Sequence, residues 1–438
     1  MPADDEAPRN ATVNPKAAEA ETEAVEGAQP DEPAAGSRNP FASRDYRAWL
    51  TASVVMALGV GIQIVAVPLF IRDRVEPDER AAAIAGALMI QELPGVFLTL
   101  FGGVLADRME ARLILVRATA VAAVVAAVYL VLAAASVTIL WPVFLLSAVI
   151  GAVGAFENPA RMGVLPQLVT RPQLQNAVII GNVGFLAASD FVGPALGGLV
   201  AGIAGLTAAF SLETGLLAAG ALLFLMLRKY RPEAPEEHGS IRGDLTEGLK
   251  YVIRSPAILG LLILSAMLGV FFGGPITVTM LLIVEDVLQL GDHWVGILFA
   301  AFGAGMIVSS AVMTLRPLPR RGLLVALSPV LAAPPLVLFG LSETPWLTVV
   351  ALLAIGPPAA IFMNLSLALL QENTPQAVMG RVMGVYSLMF AASMPIGIAQ
   401  TGLLATLWGP QVAIVASSIA GGVAGLLLLV WSPIRKLR

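Results

Sequence analysis

The chain has no cysteine, two histidines and, over 438 residues, only 13% charged side chains. Each scarcity excludes something. Without cysteine there is no disulfide framework and no thiolate chemistry. The histidines, His238 and His293, both fall in breaks between apolar runs, which leaves no histidine metal site or Ser-His-Asp triad inside those runs. No GxxxxGK[ST] pattern occurs, so the P-loop route to ATP is closed. The formal net charge of −4 offers no basic field for nucleic acid. A soluble chain carries about 25% charged residues. Here 57% of residues are hydrophobic and mean hydropathy is +0.83, so a soluble globular fold is excluded as well.

What is present is a series of apolar runs of membrane-spanning length, continuous rather than alternating, which reads as helices and not as a β-barrel. Twelve spans are expected, at 47–71, 81–105, 113–135, 139–157, 174–204, 207–228, 257–285, 292–315, 322–341, 345–370, 377–405 and 409–432. Ahead of them residues 1–43 form a tail rich in Pro, Ala and Glu, which reads as disordered. It has no apolar segment behind a basic start, so it does not read as a secretory leader. Residues 229–256 hold Pro, Gly and both charge signs, then the amphipathic stretch LTEGLKYVI. They read as a cytosolic linker between two six-span halves, 44–228 and 257–438. The expected fold is an all-α membrane protein with twelve transmembrane helices in two pseudo-symmetric six-helix bundles.

Basic residues orient it. If both termini are cytoplasmic, all Lys and Arg face the cytosol except Arg72, Arg74 and Arg80, a strong positive-inside bias. The halves are also related. At an offset of 204 residues Gln167, Thr170 and Val178 match Gln371, Thr374 and Val382. The run Ala187-Ala188-Ser189 matches Ala391-Ala392-Ser393, and Gly193, Ala195 and Gly198 match Gly397, Ala399 and Gly402. Two parallel six-span repeats are a transporter layout.

The loop after span two reads GGVLADRMEARLILVRA. Through Gly103, Leu105, Asp107, Arg108 and Arg112 it resembles the loop 2–3 signature of the major facilitator superfamily, with Glu110 and Ala111 where Gly and Arg are usual. FVGPALGG, at 191–198, is similar to the end of that superfamily's span-five antiporter signature, here Gly193, Pro194, Gly197 and Gly198. Ile180 and Ser189 stand where its upstream glycines belong. FASRDYRAW, FENPARMGVLPQLV and LLQENTPQAVMGRV resemble the branch of enterobactin-exporter and macrolide-efflux-like proteins. The resemblance covers about residues 41–435. It implies the major facilitator fold, export by alternating access, and a gating role for Gly103, Asp107, Arg108 and Arg112. Read physically, Asp107 and its arginines can pair in one state of a rocking carrier and separate in the other. The bland reading is a plain cytosolic loop.

Acids inside apolar runs are the candidate chemistry, because lipid makes them costly. Asp190 lies near mid-span, on one helical stripe with Gly193, Pro194 and Gly197. It reads either as a proton carrier or substrate contact, or as a protonated residue that hydrogen-bonds neighbouring helices. Glu92 and Glu213 are further proton-coupling or substrate candidates. Glu285 and Asp286 close the outer end of span seven, and Glu157 and Arg161 are expected to form a helix-end cytosolic ion pair. With no Lys or Arg expected mid-span, the substrate tilts toward neutral or cationic amphiphiles. Neither a metal nor a cofactor is expected, nor the clustered nucleophile and base of an enzyme. The expected protein is a proton-coupled exporter of small amphiphilic compounds, drug-like or siderophore-like. It would be a monomer in the plasma or inner membrane, with the substrate, protons and the lipid bilayer as its partners. An importer or facilitator of the same fold is the alternative. A non-transporting sensor is the reading from a different class.

Overall fold

A computed structural model describes residues 39–228, 241–315 and 318–437. The expected disordered tail up to residue 38 and the first part of the linker, 229–240, lie outside the described residues. So do the side chains of 99–108, and with them those expected of Asp107 and Arg108. The chain is helical throughout, with α1 at Arg44–Arg72, α2 at Arg80–Arg108, α3 at Ala111–Ala134, α4 at Trp141–Leu168, α5 at Arg171–Ala204 and α6 at Leu206–Phe224. A short helix α7 at Ile241–Arg254 leads into α8 at Pro256–Val287, α9 at His293–Leu315, α10 at Arg321–Leu341, α11 at Pro345–Glu372 and α12 at Gln376–Trp431. Eleven of these are long and apolar enough to cross a membrane. The last contains two spans, because Gly409 turns the chain with φ 84°, a left-handed value that glycine adopts without strain. Twelve crossings result, as expected.

Local signals explain the ends. The Ser43 hydroxyl accepts the Tyr46 N–H at 3.2 Å and opens α1, a serine N-cap. Thr170 and Gln173 form a capping box at the start of α5, each satisfying a backbone N–H that the helix leaves unpaired. Between α5 and α6 Gly205 turns with φ 83°. Prolines do not reliably end helices here. Pro159 and Pro166 both lie inside α4, so α4 continues eleven residues past the expected end of span four. Buried neighbouring helices can compensate the backbone groups a proline frees.

Two prolines reshape their helices. Pro194 offers no N–H to the carbonyl of Asp190, and its ring would crowd that carbonyl. The preceding turn, Ala187–Val192, widens into a π-helix in which the Gly193 N–H bonds to Ala188. The same happens ahead of Pro275, where Gly269–Gly273 is a π-helix and Gly274 bonds to Gly269. Each Gly-Pro step sits at a close helix crossing. A Cβ on Gly61 of α1 would lie 2.8 Å from the Gly193 Cα of α5. A Cβ on Gly274 of α8 would lie 2.8 Å from the Gly397 Cα of α12. Gly193 and Gly397 are the pair matched by the 204-residue repeat, so the two halves use one crossing twice.

Core packing is uneven along the bundle axis. At the face opposite the termini, here the far face, one apolar cluster runs through both halves. It joins Ile62, Phe70, Ile84 and Phe210 to Phe272, Val284, Leu298, Leu352 and Ile414. At the terminal face there are two separate clusters. One joins Trp49, Leu115, Val164 and Phe224 of the first half. The other joins Ile258, Val325, Leu369 and Val382 of the second. The halves therefore share a core at the far face and have their own at the terminal face.

Candidate functional site

The seam between the halves is built largely from helices α2, α5, α9 and α12. Gly198 and Gly202 of α5 lie directly on Gly296 and His293 of α9, and Gly402 of α12 lies on Ala85 of α2. Small residues allow this backbone approach. Phe191 fills the space over Gly303 and meets Phe302 edge-on, with ring centroids 5.5 Å apart.

Charges close the far face. Arg72, at the end of α1, donates to both carboxylate oxygens of Asp292 and lies 3.4 Å from Glu285. Arg80, at the start of α2, donates to Glu285 at 2.8 Å and to Asp286 at 3.5 Å. The cations come from the first half and these acids from the second. Among the described residues, every ion pair between the halves lies here. Sequence reading placed Glu285, Asp286, Arg72 and Arg80 on one side of the membrane but did not join them. The available signal was the confinement of the outer arginines to one loop, opposite a loop of acids. Beside this network Arg74 stacks on Phe70, its guanidinium carbon 3.4 Å from the ring centroid. Burial lowers its pKa from the ordinary arginine value, against the pull of Asp73. A depression of about 460 Å³ opens there, between Asp73, Arg74, Ser136, Thr138, Thr207 and Asp292.

Away from the helix ends, the acids within the described spans fall in the first half. Asp190 sits in the π-turn of α5, half-buried. Its Oδ1 accepts the hydroxyl of adjacent Ser189 at 2.7 Å. Among the described residues it has no hydrogen bond to another helix. Gly193, Pro194 and Gly197 are buried, and Gly193 and Gly197 pack on α1 around Gly61 and Ile62, while Gly198 faces α9. The π-turn lies between Asp190 and Pro194, so the regular spacing that put Asp190 on the stripe of Gly193, Pro194 and Gly197 does not hold there. Its sequence neighbours touch both halves, Ser189 at α1 and Phe191 at α9. Glu92 of α2 is half-buried and makes no hydrogen bond or ion pair among the described residues. By helical rise Glu92 is about 18 Å and Asp190 about 21 Å from the far ends of their helices. Glu213 is different. It is fully buried inside the first half, and neither carboxyl oxygen has a hydrogen-bond partner among the described residues. It lies one turn from Phe210, which stacks on Tyr129 at 5.4 Å.

Glu157 and Arg161 do pair, at 3.3 Å, but not at a solvated helix end. They are 6% and 4% exposed and lie inside α4, because that helix runs through both prolines. Arg161 stacks on Phe185 of α5 at 3.7 Å and donates to Asn158 at 3.2 Å, while its Nη1 has no acceptor. Arg161 lies seven residues, about 10 Å, from the terminal-face end of α4, so it is not the mid-span cation whose absence was expected. Of the loop 2–3 residues, Arg112 donates to the Leu225 carbonyl at 2.7 Å, closing the C-terminal end of α6 as a basic residue can. Gly103, Asp107 and Arg108 lie within α2, and the side chains of that stretch are outside the described residues.

Two six-helix bundles that share a core and an ion network at one face and keep separate cores at the other have the layout of a secondary transporter. The comparisons with known proteins agree. The sequence profile of the transmembrane secretion effector family matches residues 35–437, and the chain belongs to that family of the major facilitator superfamily. It is 27% identical over 401 residues to the enterobactin exporter EntS of Escherichia coli O1:K1, covering 90% of this chain and 93% of that protein. EntS of E. coli O139:H28 matches at the same identity and coverage. Among solved structures, a POT peptide transporter bound to alafosfalin superposes with TM-score 0.72 at 13% identity, over 95% of this chain and 99% of that one. The human organic anion transporter MFSD10 gives 0.61 at 17% identity, over 88% and 99%. The fold is a transporter fold, and the chain is not an enzyme.

Proposed function

We propose that this transporter exports small amphiphilic, siderophore-like compounds across the inner membrane in exchange for protons, with both termini in the cytoplasm. In that orientation the far face is outside, and the structure is the inward-facing state: sealed outside by the shared core and the Arg72–Asp292 and Arg80–Glu285 pairs. Asp190 carries the reading. It is a half-buried acid near mid-span with no interhelical hydrogen bond among the described residues, which weakens the view that it only holds helices together. A carboxyl group near a rocking seam can take a proton from one side and release it to the other. Glu92, at similar depth, is the second site of exchange.

The substrate class rests on the likeness to enterobactin exporters. Asp107, with Arg108 and Arg112, belongs to the cytosolic gate, and Asp107→Ala should slow transport while substrate binding persists. The protein works as a monomer, since each half supplies the other's partner surface. The test is flux in proteoliposomes. A catecholate siderophore should accumulate when a pH gradient is imposed and stay at equilibrium without one. Equal accumulation with and without the gradient would rule out proton exchange. Movement with protons instead of against them would favour the importer.

A further inference from the structure

Helix α7 lies between the halves at the terminal face, and its exposed side has no partner among the described residues. Its inner side and one exposed flank are tied to the rest of the fold. Gly248 lies against the Arg381 backbone, where a Cβ would sit 2.7 Å from the carbonyl oxygen. Val252 is buried among Ile258, Leu262 and Val382, and Glu247 pairs with Arg381 of α12 at 3.0 Å. The outer side is not neutral. Leu249 and Ile253, one turn apart, are 48% and 59% exposed. Lys250 and Arg254 occupy the adjoining stripe, are both exposed, and form no ion pair among the described residues. A single residue, Ser255, separates Arg254 from Pro256, where the membrane-spanning α8 begins. The helix therefore ends at the boundary of the bilayer.

An apolar edge beside unpaired cations, at membrane level, matches the surface of a bilayer that contains anionic lipid. We propose that α7 rests Leu249 and Ile253 in the bilayer interface and holds anionic lipid headgroups on Lys250 and Arg254. The lipid surface then steadies the terminal-face end of α12 through the Glu247–Arg381 pair. α12 also forms part of the seam, so lipid composition acts on a helix that must move during transport.

The chain has no cysteine, so single labels need no background removed. Ile253→Cys and Glu247→Cys would each carry an environment-sensitive fluorophore in full-length protein, in phosphatidylcholine vesicles with or without phosphatidylglycerol. Nitroxide-bearing lipid should quench the label at 253 strongly and the label at 247 weakly. In a second arm the quencher is carried on phosphatidylglycerol or on phosphatidylcholine. The preference for phosphatidylglycerol at 253 should fall about fivefold per charge removed in Lys250→Gln and Arg254→Gln. Neither arm depends on transport or its direction. Equal quenching at 253 and 247 would overturn the interfacial placement. A preference unchanged in the double variant would overturn the headgroup site.

Discussion

Breaking the far-face network should open that face by a predictable amount. Arg72 is the central cation, facing Asp292 through two nitrogens and Glu285 at 3.4 Å. A hydrogen bond to a charged group contributes about 1.5–3 kcal/mol. The open state returns these groups to water, so Arg72→Ala is expected to cost the closed state about 1.5–3 kcal/mol in total rather than per bond. That is a shift of roughly 10- to 100-fold in the equilibrium, enough to carry a 99:1 population to between about 10:1 and 1:1. Glu76 and Glu343 are exposed at the far face on opposite halves, and cysteines there can carry spin labels. The wild-type distance distribution should be dominated by one short component. Arg72→Ala should add a longer one, and Asp292→Ala on top of it should add little, because the two residues share one interaction. An unchanged distribution in Arg72→Ala would refute the view that this network holds the face closed.

Four further outcomes follow from packing and burial. Gly61→Ala puts a Cβ 2.6 Å from the Ser189 carbonyl oxygen and should cost about 1–3 kcal/mol by overpacking, read as a lowered thermal midpoint. Gly215→Ala, where a Cβ meets nothing within 4 Å, should be stabilising by up to about 1 kcal/mol. Glu213 buries two oxygens without hydrogen bonds, so Glu213→Leu should stabilise by about 1–3 kcal/mol in thermal unfolding. A large loss of midpoint would show a partner that the fold does not display. Glu157→Gln leaves the guanidinium of Arg161 buried without a carboxylate and should destabilise by about 3–5 kcal/mol, detectable as poor recovery in detergent.

The twelve crossings were legible because lipid forces long apolar helices, and the turn at Gly409 was marked by the Gly-Pro that follows the eleventh apolar run. The internal repeat was legible too, and the crossing glycines Gly193 and Gly397 give it a physical basis. Pro159 misled, since a proline breaks a helix in water but can be tolerated where neighbouring helices pack around it. The pair of Glu157 and Arg161, expected at a helix end, therefore lies buried inside α4. The π-turn at Asp190 was hidden because helical spacing assumes a uniform twist, although Pro194 marked where it would change. The far-face network joins residues 205 and 220 positions apart, and no local pattern links such residues.

The central claim is that Asp190 couples proton entry to export. Its most direct measurement compares substrate movement in proteoliposomes carrying wild type or Asp190→Asn, with and without an imposed pH gradient. The account predicts that the variant still exchanges substrate down its own gradient but ignores the proton gradient that drives the wild type. Gradient-driven accumulation by Asp190→Asn at the wild-type level, with the same pH dependence, would contradict it.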